Sequence, residues 1–172
     1  EEAITCTRQG LTILFQIAQE DPDVRPQLAE GMCSLSEQIL TNAAEVTEAM
    51  VQECAQLLEK AVEIDPEGPQ PLLSLASLKN ETGQQDEALQ HLRTSVSKWL
   101  PPPPGEGEGE ANNDISSQLE VELPSFEFRF ETAKLLLDLD STTDMAVRVL
   151  ESLIVERDAL PDVWHMLALA HH

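Results

Sequence analysis

A spacing of 34 residues constrains this chain more than any other feature. Cys54, Leu58 and Ala61 stand four and three residues apart, and Ala88, Leu92 and Ser95 repeat that order 34 residues later. Ala146, Leu150 and Leu153 carry it a third time at a displacement of 58, one period and a further 24 residues. Those 24 residues are visible as Pro101–Pro124, a stretch rich in proline, glycine and glutamate. A second track has the same period. Leu72, Leu75 and Ala76 answer to Phe130, Ala133 and Lys134 at a displacement of 58, and these to Trp164, Leu167 and Ala168 at 34. Two tracks with helical spacing and one shared period describe a pair of helices repeated along the chain.

A single helix pair cannot bury its apolar stripe alone, whereas stacked neighbours can, and a 34-residue pair is the tetratricopeptide (TPR) unit. The predicted fold is therefore all-α: a right-handed α-solenoid of TPR helix pairs. One solenoid is expected over residues 1–172, with the acidic Pro/Gly-rich loop 101–124 inserted between repeats. Small residues (Ala61, Ala76, Ala88) suit close crossings, and Leu72, Leu92, Phe130 and Trp164 suit the spaces between helices. Helices are expected over 1–20, 24–44, 46–64, 69–82, 85–99, 125–139, 142–155 and from Pro161 onward. Asp21-Pro22-Asp23 and Asp65-Pro66 supply stops, Gly83 a C-terminal cap, and Ser141 with Asp144 a capping pair. The chain opens on Glu1 and ends within a repeat, so it reads as a piece of something longer.

Charge narrows the partners. The 32 acids against 10 bases give a net charge of −22, which repels nucleic acid and anionic membrane and attracts basic partners. The other reading, acidity that only keeps a scaffold dissolved, stays open. Apolar residues at 41% are enough for a packed core. Cys6, Cys33 and Cys54 are an odd set with no close pairing, which fits free thiols in cytoplasm and nucleus rather than a disulfide framework. No signal peptide is visible, and no apolar run reaches the roughly 18 residues of a membrane span.

No constellation for catalysis stands out, so an enzyme is not expected. Gly105, Gly107 and Gly109 alternate with glutamates that would repel phosphate. The four histidines (His91, His165, His171, His172) lack a partner at zinc spacing, so neither metal nor cofactor is expected. His171-His172 is equally readable as native sequence or as a tag edge. Asn80-Glu81-Thr82 fits a glycosylation sequon, but without export it reads as a helix end.

Helical solenoids bind through the groove lined by the first helix of each pair. Gln70, Leu73, Ser77 and Asn80 should face it, with Phe128, Glu131, Leu135 and Asp138, and then Asp162, His165, Leu169 and His172, at the matching positions. The candidate partner-binding set is Gln70, Asn80, Phe128, Glu131, Asp138, Asp162 and His165. Three acids and one exposed aromatic suit a basic extended peptide. Leu73, Leu135 and Leu169 read more readily as core, and for the three acids partner contact and plain solvation are both open. Clamping the acidic tails of heat-shock chaperones, which takes bases in this groove, is excluded by Glu131, Asp138 and Asp162.

Several stretches carry a narrower resemblance. They are Gly31-Met32-Cys33-Ser34-Leu35-Ser36-Glu37, Leu75-Ala76-Ser77-Leu78, Pro124-Ser125-Phe126-Glu127-Phe128-Arg129 with Ala133-Lys134-Leu135-Leu136, and Asp162-Val163-Trp164-His165-Met166-Leu167. In order and spacing the chain resembles the fungal tetratricopeptide chaperones dedicated to large-subunit ribosomal protein L-four. That resemblance implies a protein that binds and shields the basic internal loop of newly made L-four and escorts it to nuclear ribosome assembly; a monomer is expected, and the net charge speaks against direct binding of nucleic acid or membrane. A general TPR interaction scaffold, or a regulatory subunit of a separate enzyme, is the alternative.

Overall fold

A computed structural model describes residues 2–101, 123–139, 142–157 and 160–170 of the 172. Within them lie eight α-helices: α1 (Glu2–Glu20), α2 (Arg25–Thr41), α3 (Glu48–Ile64), α4 (Pro69–Glu81), α5 (Gln85–Ser97), α6 (Phe126–Asp138), α7 (Thr143–Glu156) and α8 (Pro161–Ala170). Each expected helix is present, and most ends fall one to three residues inside the expected bounds. Residues 102–122, the body of the expected loop, lie outside the described residues, as do Ser141, His171 and His172.

The stops act through their backbone chemistry. Asp21 accepts a bond from the Asp23 amide and turns the chain through a short 3-10 stretch over Pro22–Val24, with proline again in the first turn of α2. Thr47 caps α3 through the Met50 amide, and Ser125 caps α6 through the Phe128 amide at 3.2 Å. Gly83 takes φ +77° and ends α4 in a double-bonded cap: Gly83 N–H donates to Asn80 O (3.0 Å) and Gln84 N–H to Lys79 O (2.8 Å). Before α7 the Thr142 hydroxyl turns backward, donating toward Leu136 O (2.5 Å) and Leu139 O (3.0 Å), while Ser141 of the expected Ser141–Asp144 capping pair lies outside the described residues.

Two compact units divide at Ser95/Val96. In the first, α1 packs on α2, α2 on α3 and α3 on α4. Its core joins Ala29, Cys33, Leu35, Ile39, Cys54, Leu58, Ala61, Leu75 and Leu78. Gly31 lets α1 approach: a Cβ there would stand 2.8 Å from Leu11 Cδ2. In the second unit α6 packs on α7 and α7 on α8.

All nine residues of the first repeat track, from Cys54 to Leu153, are at most 1% exposed. The second track needs a correction of one residue. The buried counterparts of Leu72, Leu75 and Ala76 are Arg129, Thr132 and Ala133, a displacement of 57 rather than 58. Three residues join α4 to α5 but four join α6 to α7, so the two helices of the later pair are offset differently. In α8 the buried positions are accordingly Val163 and Met166, while Trp164, expected inside, is 49% exposed. Phe130 is half-buried and Lys134 exposed.

Candidate functional site

At about 100° per residue, α6 separates into three stripes. Phe128, Arg129, Thr132, Ala133, Leu135 and Leu136 face the core. Glu127, Glu131, Lys134 and Asp138 are exposed on the opposite side. Between these stripes, along one edge, run the half-buried Phe126, Phe130 and Leu137. The helix thus presents three carboxylates and one ammonium beside an apolar edge.

Contacts along that edge are ordered. The rings of Phe126 and Phe130 stack with centroids 6.2 Å apart and planes 16° off parallel. Lys134 sits 5.7 Å above Phe130 while its ammonium reaches Glu131 at 2.9 Å; Arg157 sits 5.3 Å from the Phe126 centroid. Exposed pairs of this kind contribute only about 0–1 kcal/mol each, so they orient side chains more than they hold the fold.

Phe128 corrects the expected surface anchor. It is only 8% exposed, and its ring meets Trp99 edge-on at 6.1 Å and 78°. The same one-residue offset explains why: the exposed-edge aromatic of α6 is Phe130, and its counterpart on α8, 34 residues on, is the exposed Trp164. Glu131 and Asp138 are exposed as expected, and Asp162 and His165 are exposed on α8. In the first unit Gln70 is exposed on α4, its amide 3.5 Å from Ser74 Oγ, and Asn80 is half-buried at the helix edge. Leu73 and Leu135 belong to the core, whereas Leu169 is 57% exposed.

Sequence reasoning missed Phe126, Glu127 and Phe130 as surface residues and Arg129 as a core residue. The signal was present in the junction lengths, but polar Arg129 and Thr132 stand where the apolar track should run. Arg129 can be buried because each guanidinium nitrogen has an acceptor: Nε donates to Pro124 O (3.0 Å), Nη1 to Ser152 O and Oγ (both 3.3 Å), and Nη2 to Glu156.

The Lys79 ammonium, 2.8 Å from Glu87, holds that carboxyl below the usual range. Burial lowers His91, helped by Lys79 and opposed by Glu87 and Glu59. Burial raises both inner thiols, Cys33 to about 11. Among the described residues no group of three or more His, Cys, Asp or Glu is arranged to hold a metal, and no helix is long and apolar enough to cross a membrane.

No family model matches the chain. A protein of Emericella nidulans named a probable assembly chaperone of rpl4 is 27% identical over 115 residues, 66% of this chain and 26% of that protein. A solved assembly chaperone of RpL4 (Acl4) superposes over 98% of this chain and 58% of its own with a TM-score of 0.72 and 26% identity. The chain is similar to an RpL4 assembly chaperone in both sequence and fold. It spans about a quarter of the curated relative's length, the 26% above, and just over half of the solved one. A thermophilic TPR protein of Thermus thermophilus also superposes, over 98% of this chain with a TM-score of 0.53 at 16% identity, which bears on the fold alone. The TPR α-solenoid class read from the 34-residue period is thus shared with known structures.

Proposed function

We propose that this chain belongs to an assembly chaperone for large-subunit ribosomal protein L-four, acting by masking charge. The carrying observation is the α6 surface, where Glu127, Glu131 and Asp138 run beside the Phe126–Phe130 stack in a chain of net charge −22. A ribosomal protein's RNA-binding loop is a dense set of cations with interspersed apolar residues. Carboxylates on α6 and α8 neutralise the cations, and the aromatic edge holds the apolar residues. No bond is made or broken. Release follows when ribosomal RNA, a far denser polyanion, competes for the same cations. Capture in the cytoplasm and hand-over in the nucleus fit this sequence of events.

Titration of the L-four internal loop onto the chain at two salt concentrations is the test. Between about 0.05 and 0.5 M salt, affinity should fall by roughly tenfold or more, since the Debye length shrinks to a few ångströms. Charge reversal at Glu131 and Asp138, with Asp162→Lys on α8, should abolish most of that salt dependence. Binding indifferent to both would favour a general TPR scaffold.

A further inference from the structure

A cavity of about 250 Å³ opens in the first unit, well away from the α6 surface in sequence. Its walls are Phe15, Ala18 and Gln19 from the end of α1, Arg25 and Leu28 from the start of α2, and Glu63 and Ile64 from the end of α3. The place is a structural equivalent of one already described. Leu28 is the fourth residue of α2 as Arg129 is of α6, and Ile64 ends α3 as Glu156 ends α7. In the second unit the Arg129–Glu156 pair, with Ser152, closes this junction. In the first the same two positions are apolar and the space stands open.

We propose that this cavity seats an apolar side chain of a basic peptide segment, a second anchor point for the partner of the proposed function, on which this inference rests. Size sets the class of ligand. A space of about 250 Å³ is below the roughly 300–1,000 Å³ of small-molecule sites and matches one or two large side chains. Chemistry sets its character: Ala18 and Leu28 form a buried apolar floor, and Phe15, 51% exposed, is a large ring standing at the mouth. Charge sets the flanks. The turn linking the α1 and α2 walls carries Glu20, Asp21 and Asp23, all exposed, and Glu63 stands on the third wall; Arg25 is the single base among them. Lysines or arginines on either side of the seated residue meet that rim, whereas an acidic segment is repelled.

Two exposed wall residues allow a test that leaves the core intact. Phe15→Ser removes the ring, and Gln19→Trp fills the mouth. The 172-residue chain and each variant are titrated with the L-four internal loop, and helicity is checked by circular dichroism. Each variant should bind about tenfold more weakly with unchanged helicity. In a set of loop peptides with single apolar residues changed to serine, one change should lose its effect in the Phe15→Ser background, locating the anchor by a double-mutant cycle. Variants that bind like wild type, while reversals at Glu131 and Asp138 still weaken binding, overturn the cavity and leave the partner. A wild-type chain that does not bind the loop overturns the proposed function, and this inference with it.

Discussion

The guanidinium of Arg129 is 2% exposed and is held by the carboxylate of Glu156, the last residue of the neighbouring helix. The pair fastens the start of α6 to the end of α7, and the Pro124 carbonyl and Ser152 complete the coordination of the cation. A buried guanidinium left without its carboxylate costs about 3–5 kcal/mol in a dry site. Here the Glu156 side chain is 42% exposed, so water can partly replace it. Glu156→Ala should therefore destabilise the second unit by about 1–3 kcal/mol, and Arg129→Met, which removes the charge altogether, should cost less than Arg129→Ala. Chemical denaturation of the three variants ranks these effects. Equal stability of Glu156→Ala and wild type would show that the pair is not what fixes the junction.

The three thiols should separate by reactivity. Cys6 is exposed on α1; Cys33 and Cys54 are buried, the latter with its Sγ 3.6 Å from Ser36 O. Burial pushes Cys33 to about 11, so its thiolate fraction at pH 8 is about a thousandth. A thiol reagent at pH 8 should label one cysteine of the native chain quickly and all three only after unfolding. Fast labelling of Cys33 would contradict the packing of α2 on α3.

His91 sets a pH dependence with a definite sign. Its pKa is lowered in the fold, first by burial and then by Lys79, so protons bind the unfolded chain more tightly. Stability is whole above the unfolded value of about 6.5 and declines as pH falls through it toward the lower folded value. Glu87, lowered chiefly by its bond to Lys79, adds a loss in the same direction at more acid pH. Thermal midpoints of wild type and His91→Gln between pH 7.5 and 5.5 should diverge, the variant falling less. Parallel curves would show that His91 titrates alike in both states.

Much of the fold was legible because its determinants are local or periodic. Prolines and Gly83 punctuated the helices, and the Cys54–Leu58–Ala61 track survives at every copy as fully buried residues. What the period could not carry was the one-residue change in hairpin length between α4–α5 and α6–α7. That change rotates every inferred first-helix position by about 100°, enough to exchange an edge residue for a core one. Glu131 and Asp138 lie on the exposed stripe all the same, whereas Phe128 and Trp164 changed places with the neighbours that do the opposite job. The cavity at Phe15 left no trace in the period at all, since it arises from what Leu28 and Ile64 fail to fill.

Gly83 should resist replacement. At φ +77° a Cβ meets the carbonyl of its own backbone, although no neighbouring atom lies within 4 Å of the added carbon. The cost of Gly83→Ala is therefore conformational, about 1 kcal/mol, and should lower the melting temperature by about 2–4 °C in a chain of this size. Gly83→Asn, which tolerates the left-handed region, should recover part of the loss. An unchanged midpoint for the alanine variant would mean that the α4 cap relaxes to another geometry.

The two phenylalanines two residues apart on α6 should give opposite phenotypes. Phe128 is packed edge-on against Trp99, so Phe128→Ala removes core volume and should cost about 3–5 kcal/mol, with weaker binding only through loss of folded chain. Phe130 is half-buried, stacked on Phe126 and covered on one face by Lys134, so Phe130→Ala should cost less than about 1.5 kcal/mol. If the aromatic edge holds the apolar residues of a basic loop, Phe130→Ala weakens binding by about tenfold at full helicity, and Phe130→Leu, which keeps apolar area but not the stack, falls between. Titration of folded protein, quantified by circular dichroism before each run, separates the two effects. Should Phe128→Ala reduce the affinity of the folded fraction while Phe130→Ala does not, the partner would contact the Trp99–Phe128 side of the second unit, and the exposed carboxylate stripe would be only a solvated face.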